Sequence, residues 1–199
     1  METIKKFVII GPESTGKSTL CSQLAEHYKT LWVPEYAREY LLKKGTDYAY
    51  DDLLTIAKGQ IDGEEIITNQ FADKIEAPGF EKNKHRTSDI VHHKSKKAFL
   101  FIDTDMYVMK VWCEYVFNKC HNWILNRIAE RDYDGYLLCN ADLDWVADAL
   151  REYPDKTIRQ KLYYYYKDVM INQTIPWVDI TGNYTERFEK AVKFIDDKI

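Results

Sequence analysis

A glycine-rich motif lies close to the beginning of the sequence, between an apolar run and an amphipathic segment. The run Phe7–Ile10 leads directly into Gly11–Ser18, which reads GPESTGKS and matches the spacing GxxxxGK[ST]. The apolar residues that follow recur at helical spacing: Leu20, Cys21, Leu24, Ala25 and Tyr28. A strand, a glycine-rich turn and a helix in this order predict a P-loop, whose backbone N–H groups hold phosphates.

Short apolar runs alternate with longer segments of helical period along the rest of the chain. This alternation is typical of βα units, so we expect one α/β domain over residues 1–199 with a largely parallel sheet flanked by helices. The predicted strands are Lys6–Ile10, Leu31–Pro34, Ala98–Asp103, Gly135–Cys139 and Trp177–Ile180. The predicted helices after the first are Asp52–Gln70, Met106–Phe117, Trp145–Glu152, Lys156–Ile171 and a last one from Tyr184 to Ile195.

Residues 71–97 depart from this pattern. The segment contains Pro78 and Gly79 and many lysines, arginines and histidines, and it has no sustained apolar period. Such a composition buries too little apolar surface to offset the entropy of ordering, so we expect a long exposed loop. A mobile lid or a surface for an anionic partner is the functional alternative.

Composition argues against several classes of function. The formal net charge is −4, whereas general nucleic-acid surfaces need clustered Lys and Arg, so we expect no nucleic-acid partner. No apolar stretch reaches the roughly 18 residues that cross a bilayer. The N-terminus lacks the long apolar region of an export signal, which predicts a cytoplasmic protein. The oligomeric state is left open by the sequence.

The P-loop motif predicts specific roles for its residues. We expect Lys17 to reach the β- and γ-phosphates of ATP, and Ser18 to bind the magnesium ion that bridges them, with Thr19 as a substitute. The other residues predicted to contact the nucleotide are Gly11, Glu13, Ser14, Thr15 and Gly16. The positive end of the helix that follows adds attraction for the anion.

Two acidic residues follow the predicted third strand. The apolar run Ala98–Ile102 ends in Asp103-Thr104-Asp105, as expected for a buried parallel strand that delivers carboxylates to the carboxyl edge of the sheet. We expect Asp103 to hold the magnesium ion through a coordinated water, and Asp105 to face either the metal or the acceptor. An ordinary strand-end cap is the alternative.

Glu35 and Arg38 follow the predicted second strand, where an acceptor must lie to meet the γ-phosphate in line. The Glu35 carboxylate can orient an acceptor hydroxyl and take its proton, and Arg38 can clamp charge or hydroxyls. The alternative is a surface helix that carries a Glu/Arg pair at helical spacing. Whether Glu35 or Asp103 is the catalytic base stays open.

A predicted lid follows the fourth strand, at about residues 141–160. Within it, Asn140–Arg151 gathers three acids, Trp145 and Arg151. Phosphoryl transfer spreads negative charge over the moving group, and an arginine carried by a closing segment stabilises that charge while water is excluded. Arg151 is the stronger candidate, because we expect Arg159 to face solvent.

Together these motifs resemble the ribosylnicotinamide (nicotinamide riboside) kinase domain of bacterial NAD-biosynthesis regulators of the NadR type. The resemblance covers nearly the whole chain and rests on GPESTGKSTL, VPEYAREY, the Ala57–Gln60 step, FIDTD, DLDWVADALR and the closing IPWVDITGNYTERFEKAV. It implies a nucleoside-kinase-like P-loop NTPase fold with a five-stranded parallel sheet between helices. It also implies ATP and magnesium as cosubstrates and conversion of nicotinamide riboside to nicotinamide mononucleotide.

The resemblance extends to residues of the two substrate sites. The acceptor nucleoside would be bound by Glu35, Tyr36, Arg38, Asp105 and Trp145, since acids and aromatic rings suit a cationic pyridinium. Gly182 and Tyr184 would lie near the adenine. Larger relatives carry adenylyltransferase and DNA-binding parts ahead of the kinase, and we expect neither activity from this chain. The alternatives are a kinase of another nucleoside or small metabolite, and a nucleotide-dependent ATPase switch.

Overall fold

A five-stranded parallel sheet lies at the centre of the protein, as described by a computed structural model for residues 4–76 and 98–198. The strands are β1 (Ile4–Ile10), β2 (Leu31–Val33), β3 (Ala98–Asp103), β4 (Gly135–Cys139) and β5 (Trp177–Ile180). Their order across the sheet is β2-β3-β1-β4-β5. All five predicted strands are confirmed, and β3, β4 and β5 have the predicted bounds.

Seven helices accompany the sheet within the described residues. They are α1 (Lys17–Tyr28), α2 (Tyr36–Lys44), α3 (Tyr50–Glu76), α4 (Met106–Phe117), α5 (Asn122–Glu130), α6 (Lys156–Ile171) and α7 (Tyr184–Asp196). The predicted bounds of α4 and α6 are confirmed. The sequence prediction did not include α5, and it considered α2 only as an alternative, because each has nine residues and buries only one or two of them.

The alternating side chains of β1 divide the core into two layers. Phe7 and Ile9 pack with the buried face of α1 and α7, whereas Val8 and Ile10 pack with α4 and α6. A sheet covered by helices on both faces must be apolar on both faces, which explains the continuous apolar runs of the strands. No helix of the described residues is both long enough and apolar enough to cross a membrane.

A third apolar cluster joins the helices that lie beside the carboxyl end of β2 and β3. It contains Leu41 of α2, Leu53 of α3, Met109 of α4 and Ile124 of α5, among others. These helices therefore form one packed wall, and the segments that follow β2 and β3 are held against it. The wall fixes the position of the residues that the sequence predicts to contact an acceptor.

Two predicted elements differ in the structure. Trp145–Glu152 is not helical: the N–H groups of Val146 and Glu152 bond to the P-loop, and the Asp148 side chain pairs with Arg38 of α2. The predicted loop at residues 71–97 begins as helix, since α3 continues to Glu76 and its Phe71 side chain packs into a buried position. Residues 77–97 lie outside the described residues.

Candidate active site

The P-loop is built on backbone angles that favour glycine. Gly11 and Gly16 have φ of 139° and 78°, and Ser14 also has a positive φ of 55°. A side chain at Gly11 would place its Cβ 2.5 Å from the carbonyl oxygen of Cys139, at the end of the neighbouring β4. The motif therefore needs glycine for the turn and for the close approach of the two strand ends.

The amino end of α1 points into the site with its N–H groups available. Gly16 is its N-cap residue, and no described side chain caps the helix or places an acid in its first turn. Thr15 Oγ1 and Lys17 Nζ instead donate to the Pro12 carbonyl, at 2.7 and 2.9 Å. An uncapped helix end of this kind, together with the helix dipole, favours a bound anion.

A cavity of about 320 Å³ extends from the P-loop towards α4 and α6. The predicted residues that line it are Gly11, Glu13, Ser14, Thr15, Gly16, Lys17, Ser18, Thr19, Glu35, Arg38, Asp103 and Arg151. Its apolar and aromatic wall, which we did not predict, includes Trp32, Trp112, Tyr115, Tyr153 and Tyr166. One space thus joins the anion site to a partly aromatic chamber.

Asp103 is buried at the end of β3, directly beside the P-loop. Ile9 of β1 pairs with Asp103 across the sheet, so the carboxylate lies next to the strand that carries the motif. Neither of its oxygens accepts a hydrogen bond from a described residue. Burial raises the pKa of Asp103 and the Glu35 carboxylate raises it further, while Lys17 and Ser18 lower it. A buried carboxylate whose oxygens accept no hydrogen bond from a described residue has the chemistry of a cation ligand.

Glu35 lies on the other side of the cavity mouth. It is the N-cap residue of α2, its side chain makes no capping hydrogen bond, and it lines the cavity. Its charge is close enough to Asp103 to raise the pKa of that carboxyl. The structure therefore places Glu35 and Asp103, the two candidates for the catalytic base, at the same cavity.

The segment 141–155 is a strap of turns and irregular backbone, and its residues Leu150 to Tyr153 line the cavity. The Glu13 carboxylate accepts the backbone N–H groups of Glu152 and Tyr153, and Ser14 Oγ accepts the N–H of Val146. Burial raises the pKa of Glu13, although these N–H donors lower it. The P-loop thus bonds directly to the strap, which brings Arg151 to the cavity wall.

Arg38 holds the strap from the acceptor side. Its Nη2 donates to Asp148 Oδ2 at 2.9 Å, and the pKa of Asp148 is lowered by this bond. On the same side, Tyr48 Oη donates to Glu152 Oε2 at 3.0 Å. Arg38 is therefore occupied by an ion pair in this structure, although it also lines the cavity.

Three residues predicted to bind the acceptor do not line the cavity. Asp105 is the buried N-cap of α4 and accepts the N–H groups of Tyr107 and Val108 and the hydroxyl of Tyr136. Burial raises its pKa to about 7. Asp105 therefore caps the helix that follows β3, and in this structure it does not line the cavity.

The other two are aromatic residues that pack elsewhere. The ring of Tyr36 lies against Gly59, where a Cβ would come within 2.1 Å of it. Trp145 lies beside the guanidinium groups of Arg151 and Arg159, with 5.9 and 5.5 Å between group and ring centre. The expectation that Arg159 faces solvent is wrong, because it is 2% exposed and donates to the Leu143 carbonyl at 3.2 Å.

Gly182 and Tyr184 lie beside the P-loop but outside the cavity wall. The Tyr184 ring is 3.2 Å from the position that a Cβ at Gly16 would occupy. The Gly182 N–H donates to Asp142 Oδ2 at 2.7 Å. Tyr184 therefore borders the P-loop, whereas Gly182 bonds to the segment that follows β4.

Arg187 of α7 connects these loops and was missed by the sequence analysis. This side chain is 2% exposed and donates to the carbonyl groups of Thr15, Asn140 and Gly182, at 3.1, 3.0 and 2.7 Å. It also pairs with Asp142. A single arginine on an amphipathic helix gives no sequence signal of this role, because its partners are backbone groups from three separate segments.

We expect Arg187→Met to weaken ATP binding about tenfold, or about 1.4 kcal/mol. The variant leaves the Thr15 and Gly182 carbonyls without their donor, so the P-loop and the loop after β5 lose their common support. Titration calorimetry with ATP measures the effect, and Asp142→Asn, which removes the charge of one partner and leaves the three bonds from Arg187 to carbonyl groups in place, should show a smaller loss. Lys193→Met on the exposed face of the same helix is the control. A folded Arg187→Met protein with wild-type affinity would contradict this role.

Comparison with known families agrees with this geometry. Residues 6–187 match the family model described as AAA domain. The chain belongs to this family. The AAA-domain match covers the P-loop, the two carboxylates and the strap, and it ends at Arg187.

The relatives of this AAA-domain chain confirm the resemblance to NadR. The chain is 26% identical over 197 residues to the trifunctional NAD biosynthesis/regulator protein NadR of Escherichia coli K12. The alignment includes 96% of this chain but 42% of that protein, so the chain spans less than half of its relative. The chain is homologous to NadR over this part of the relative.

Solved structures confirm the predicted fold. The crystal structure of NadR protein in complex with NR superposes with a TM-score of 0.66 at 18% identity, covering 98% of this chain and 49% of that one. The NadR structure in complex with NAD and AMP-PNP superposes with a TM-score of 0.68 at 19% identity and the same coverage. This AAA-domain chain therefore has the same α/β fold as these NadR structures.

Proposed function

We propose that this protein is an ATP-dependent kinase that converts nicotinamide riboside to nicotinamide mononucleotide. The observation that carries the proposal is the single cavity that leads from a P-loop to two carboxylates and an aromatic wall. A cavity of about 320 Å³ has room for a small ring system next to a phosphate chain. Homology to NadR favours the nicotinamide nucleoside among the possible acceptors.

The phosphates of ATP would bind to the backbone N–H groups of the P-loop and the amino end of α1. Lys17 would exchange its bond to the Pro12 carbonyl for the β- and γ-phosphates, because an anion is a stronger partner for an ammonium group than a neutral carbonyl. Arg151 of the strap would add a second positive charge as the phosphoryl group moves.

The acceptor would occupy the chamber beside Glu35. A bond forms between the 5′-oxygen of the nucleoside and the γ-phosphorus, the bond from that phosphorus to the β,γ-bridging oxygen breaks, and ADP leaves. Glu35 orients the hydroxyl and takes its proton. The electron-rich faces of Trp112 and Tyr115 in the chamber wall suit the positive pyridinium ring.

The residues present fit a magnesium ion. Asp103 has two buried oxygens without hydrogen-bond partners, and the Ser18 hydroxyl is its neighbour on the P-loop. Oxygen ligands of this kind are those that Mg²⁺ prefers, and a bound ion neutralises charge on the phosphates. We assign Asp103 to the ion and Glu35 to the acceptor, since Lys17 and Ser18 both influence Asp103.

The strap at residues 141–155 would act as the lid of this site. Its bonds to Glu13, Ser14 and Arg38 join it to the P-loop on one side and to α2 on the other. A segment held at both sides excludes water from the transferring phosphoryl group, and it must open for the nucleoside to enter. Of the lid predicted at about 141–160, the strap is the part that lies before α6, which begins at Lys156.

A nucleotide-dependent ATPase is the second candidate. The description of the matching family as AAA domain favours it, since a family model of this breadth does not specify an acceptor. Such a protein would hydrolyse ATP without any added nucleoside. The chamber beside Glu35 argues for the kinase, because water alone needs no aromatic wall.

A coupled ADP-release assay over a panel of nucleosides tests the proposal. We expect nicotinamide riboside to be turned over at least about fivefold faster than adenosine, uridine or cytidine, because a cationic ring gains about 1 kcal/mol or more from an aromatic wall. A reaction without nucleoside measures ATPase activity alone. Turnover of another nucleoside with none of nicotinamide riboside would remove the substrate assignment, and equal ADP release with and without nucleoside would favour the ATPase.

A further inference from the structure

The Ala57–Gln60 step of α3 contains a buried polar side chain that the proposed reaction does not use. Gln60 is 2% exposed and does not line the cavity. Both ends of its amide are nevertheless paired. Its Oε1 accepts the backbone N–H of Tyr36 at 2.8 Å, and its Nε2 donates to the backbone carbonyl of Asp103 at 3.2 Å.

These two partners belong to the segments that carry the two carboxylates. The Tyr36 N–H is part of the peptide bond that follows Glu35, and the other bond reaches the main chain of Asp103 itself. The end of β2 and the end of β3 are thereby connected through one side chain. Since β2 and β3 are neighbours in the sheet, the amide spans the gap that opens where their ladder stops.

Gly59 and Thr104 further restrict the positions of the two segments that Gln60 connects. Gly59 allows the Tyr36 ring to lie directly on α3, because any Cβ there would overlap the ring at 2.1 Å. After Asp103 the chain turns through Thr104, which has a φ of 78°. A non-glycine residue at positive φ is strained and persists only where its surroundings hold it. Gln60 supplies one of these restraints, and the bond from the Thr104 N–H to the Ile9 carbonyl supplies another.

We propose that Gln60 is a positioning residue, which fixes Glu35 and Asp103 relative to each other for phosphoryl transfer. The proposal rests on the kinase function argued above. Transfer requires the acceptor hydroxyl and the phosphate chain to be aligned within a fraction of an ångström. We assign Glu35 to the acceptor hydroxyl and Asp103 to the magnesium ion on the phosphate chain. The spacing between the ends of β2 and β3 therefore determines that alignment.

Gln60→Met tests this role, because methionine has a similar volume and lacks both hydrogen bonds. We expect kcat per folded protein to fall about 30-fold, as for a small misplacement of reacting groups, while the KM for ATP stays within about twofold. A residue that only stabilised the fold would lower the unfolding temperature and the folded fraction without changing kcat per folded molecule. Gln70→Met, on the exposed face of the same helix, is the matched control.

Hydrogen exchange at the Tyr36 amide tests the same connection without turnover. In the wild type this N–H is bonded to Gln60, and in Gln60→Met we expect it to exchange at least tenfold faster while the amides of β1 are unchanged. Gln60→Asn offers a second variant that keeps a polar amide. Its side chain is one methylene shorter and cannot reach both partners, so kcat should fall as well.

The outcomes separate this proposal from the proposed function. If the wild type phosphorylates no nucleoside, the kinase assignment fails, and unchanged Tyr36 exchange in Gln60→Met would then overturn the connection itself. If the wild type is an active kinase but Gln60→Met and Gln60→Asn retain wild-type kcat, the positioning role is overturned. A fall in kcat with unchanged ATP KM and faster Tyr36 exchange supports it.

Discussion

Lys17→Ala should lower kcat/KM for ATP by roughly a thousandfold, the effect of removing a charged group that acts on the transition state. The Lys17 ammonium lines the cavity and lies at the amino end of α1, where its hydrogen-bond partner among the described residues is the Pro12 carbonyl. Loss of this charge leaves the developing negative charge on the γ-phosphoryl group without its nearest protein cation. Steady-state kinetics over a range of ATP concentrations measures the effect.

Lys193→Ala is the control for this variant. Lys193 lies on the exposed side of α7, so its removal should leave kcat/KM for ATP within about twofold. Wild-type turnover by Lys17→Ala would mean that the P-loop motif does not hold the nucleotide in this protein. The assignments of Ser18 and of the P-loop backbone would then fail with it.

Asp103→Asn should lower kcat by about a thousandfold without lowering stability. The substitution keeps the shape of the side chain but removes the charge that we assign to the magnesium ion. Because the buried Asp103 carboxylate has no described hydrogen-bond partner, it costs free energy in the folded state, and its neutral replacement should not reduce the unfolding temperature. Turnover and thermal unfolding of the same preparation provide the two measurements.

A comparison of Glu35→Gln with Asp103→Asn distinguishes the roles of the two carboxylates. Loss of a general base costs about 100-fold or more in kcat, but the magnesium concentration that gives half-maximal activity should stay unchanged. Asp103→Asn should raise that concentration, whereas Asp197→Asn on the exposed end of α7 should alter neither value. If the magnesium requirement shifts in Glu35→Gln and not in Asp103→Asn, the two assignments are reversed.

The features that the sequence predicted are those determined by short stretches of chain. The strand before Gly11, the turn and the helix after Lys17 follow from local spacing, so the P-loop could be recognised directly. The apolar run of β3 places Asp103 at a sheet edge for the same reason. Parallel strands bring their carboxyl ends together, which is why Glu35 and Asp103 lie at one cavity although 68 positions separate them.

The features that it missed depend on partners distant in the chain. Asp103 and Asp105 look equivalent in sequence, but Asp105 accepts the hydroxyl of Tyr136, 31 positions away, and does not line the cavity. Trp145–Glu152 has helical spacing, yet Glu13 and Ser14 offer its backbone better partners. Tyr36 turns onto α3 because Gly59 leaves room for its ring. Each of these arrangements depends on a contact between residues far apart in the sequence, which no local residue pattern indicates.

The fate of the γ-phosphoryl group decides between transfer and hydrolysis. The protein, ATP carrying 32P at the γ-position, magnesium and nicotinamide riboside are incubated together, and the labelled products are separated and identified by mass. We predict that most of the label appears in nicotinamide mononucleotide and that little appears in inorganic phosphate. Label found only in inorganic phosphate, at the same rate with and without the nucleoside, would contradict the central claim that Glu35 and the P-loop serve one acceptor cavity.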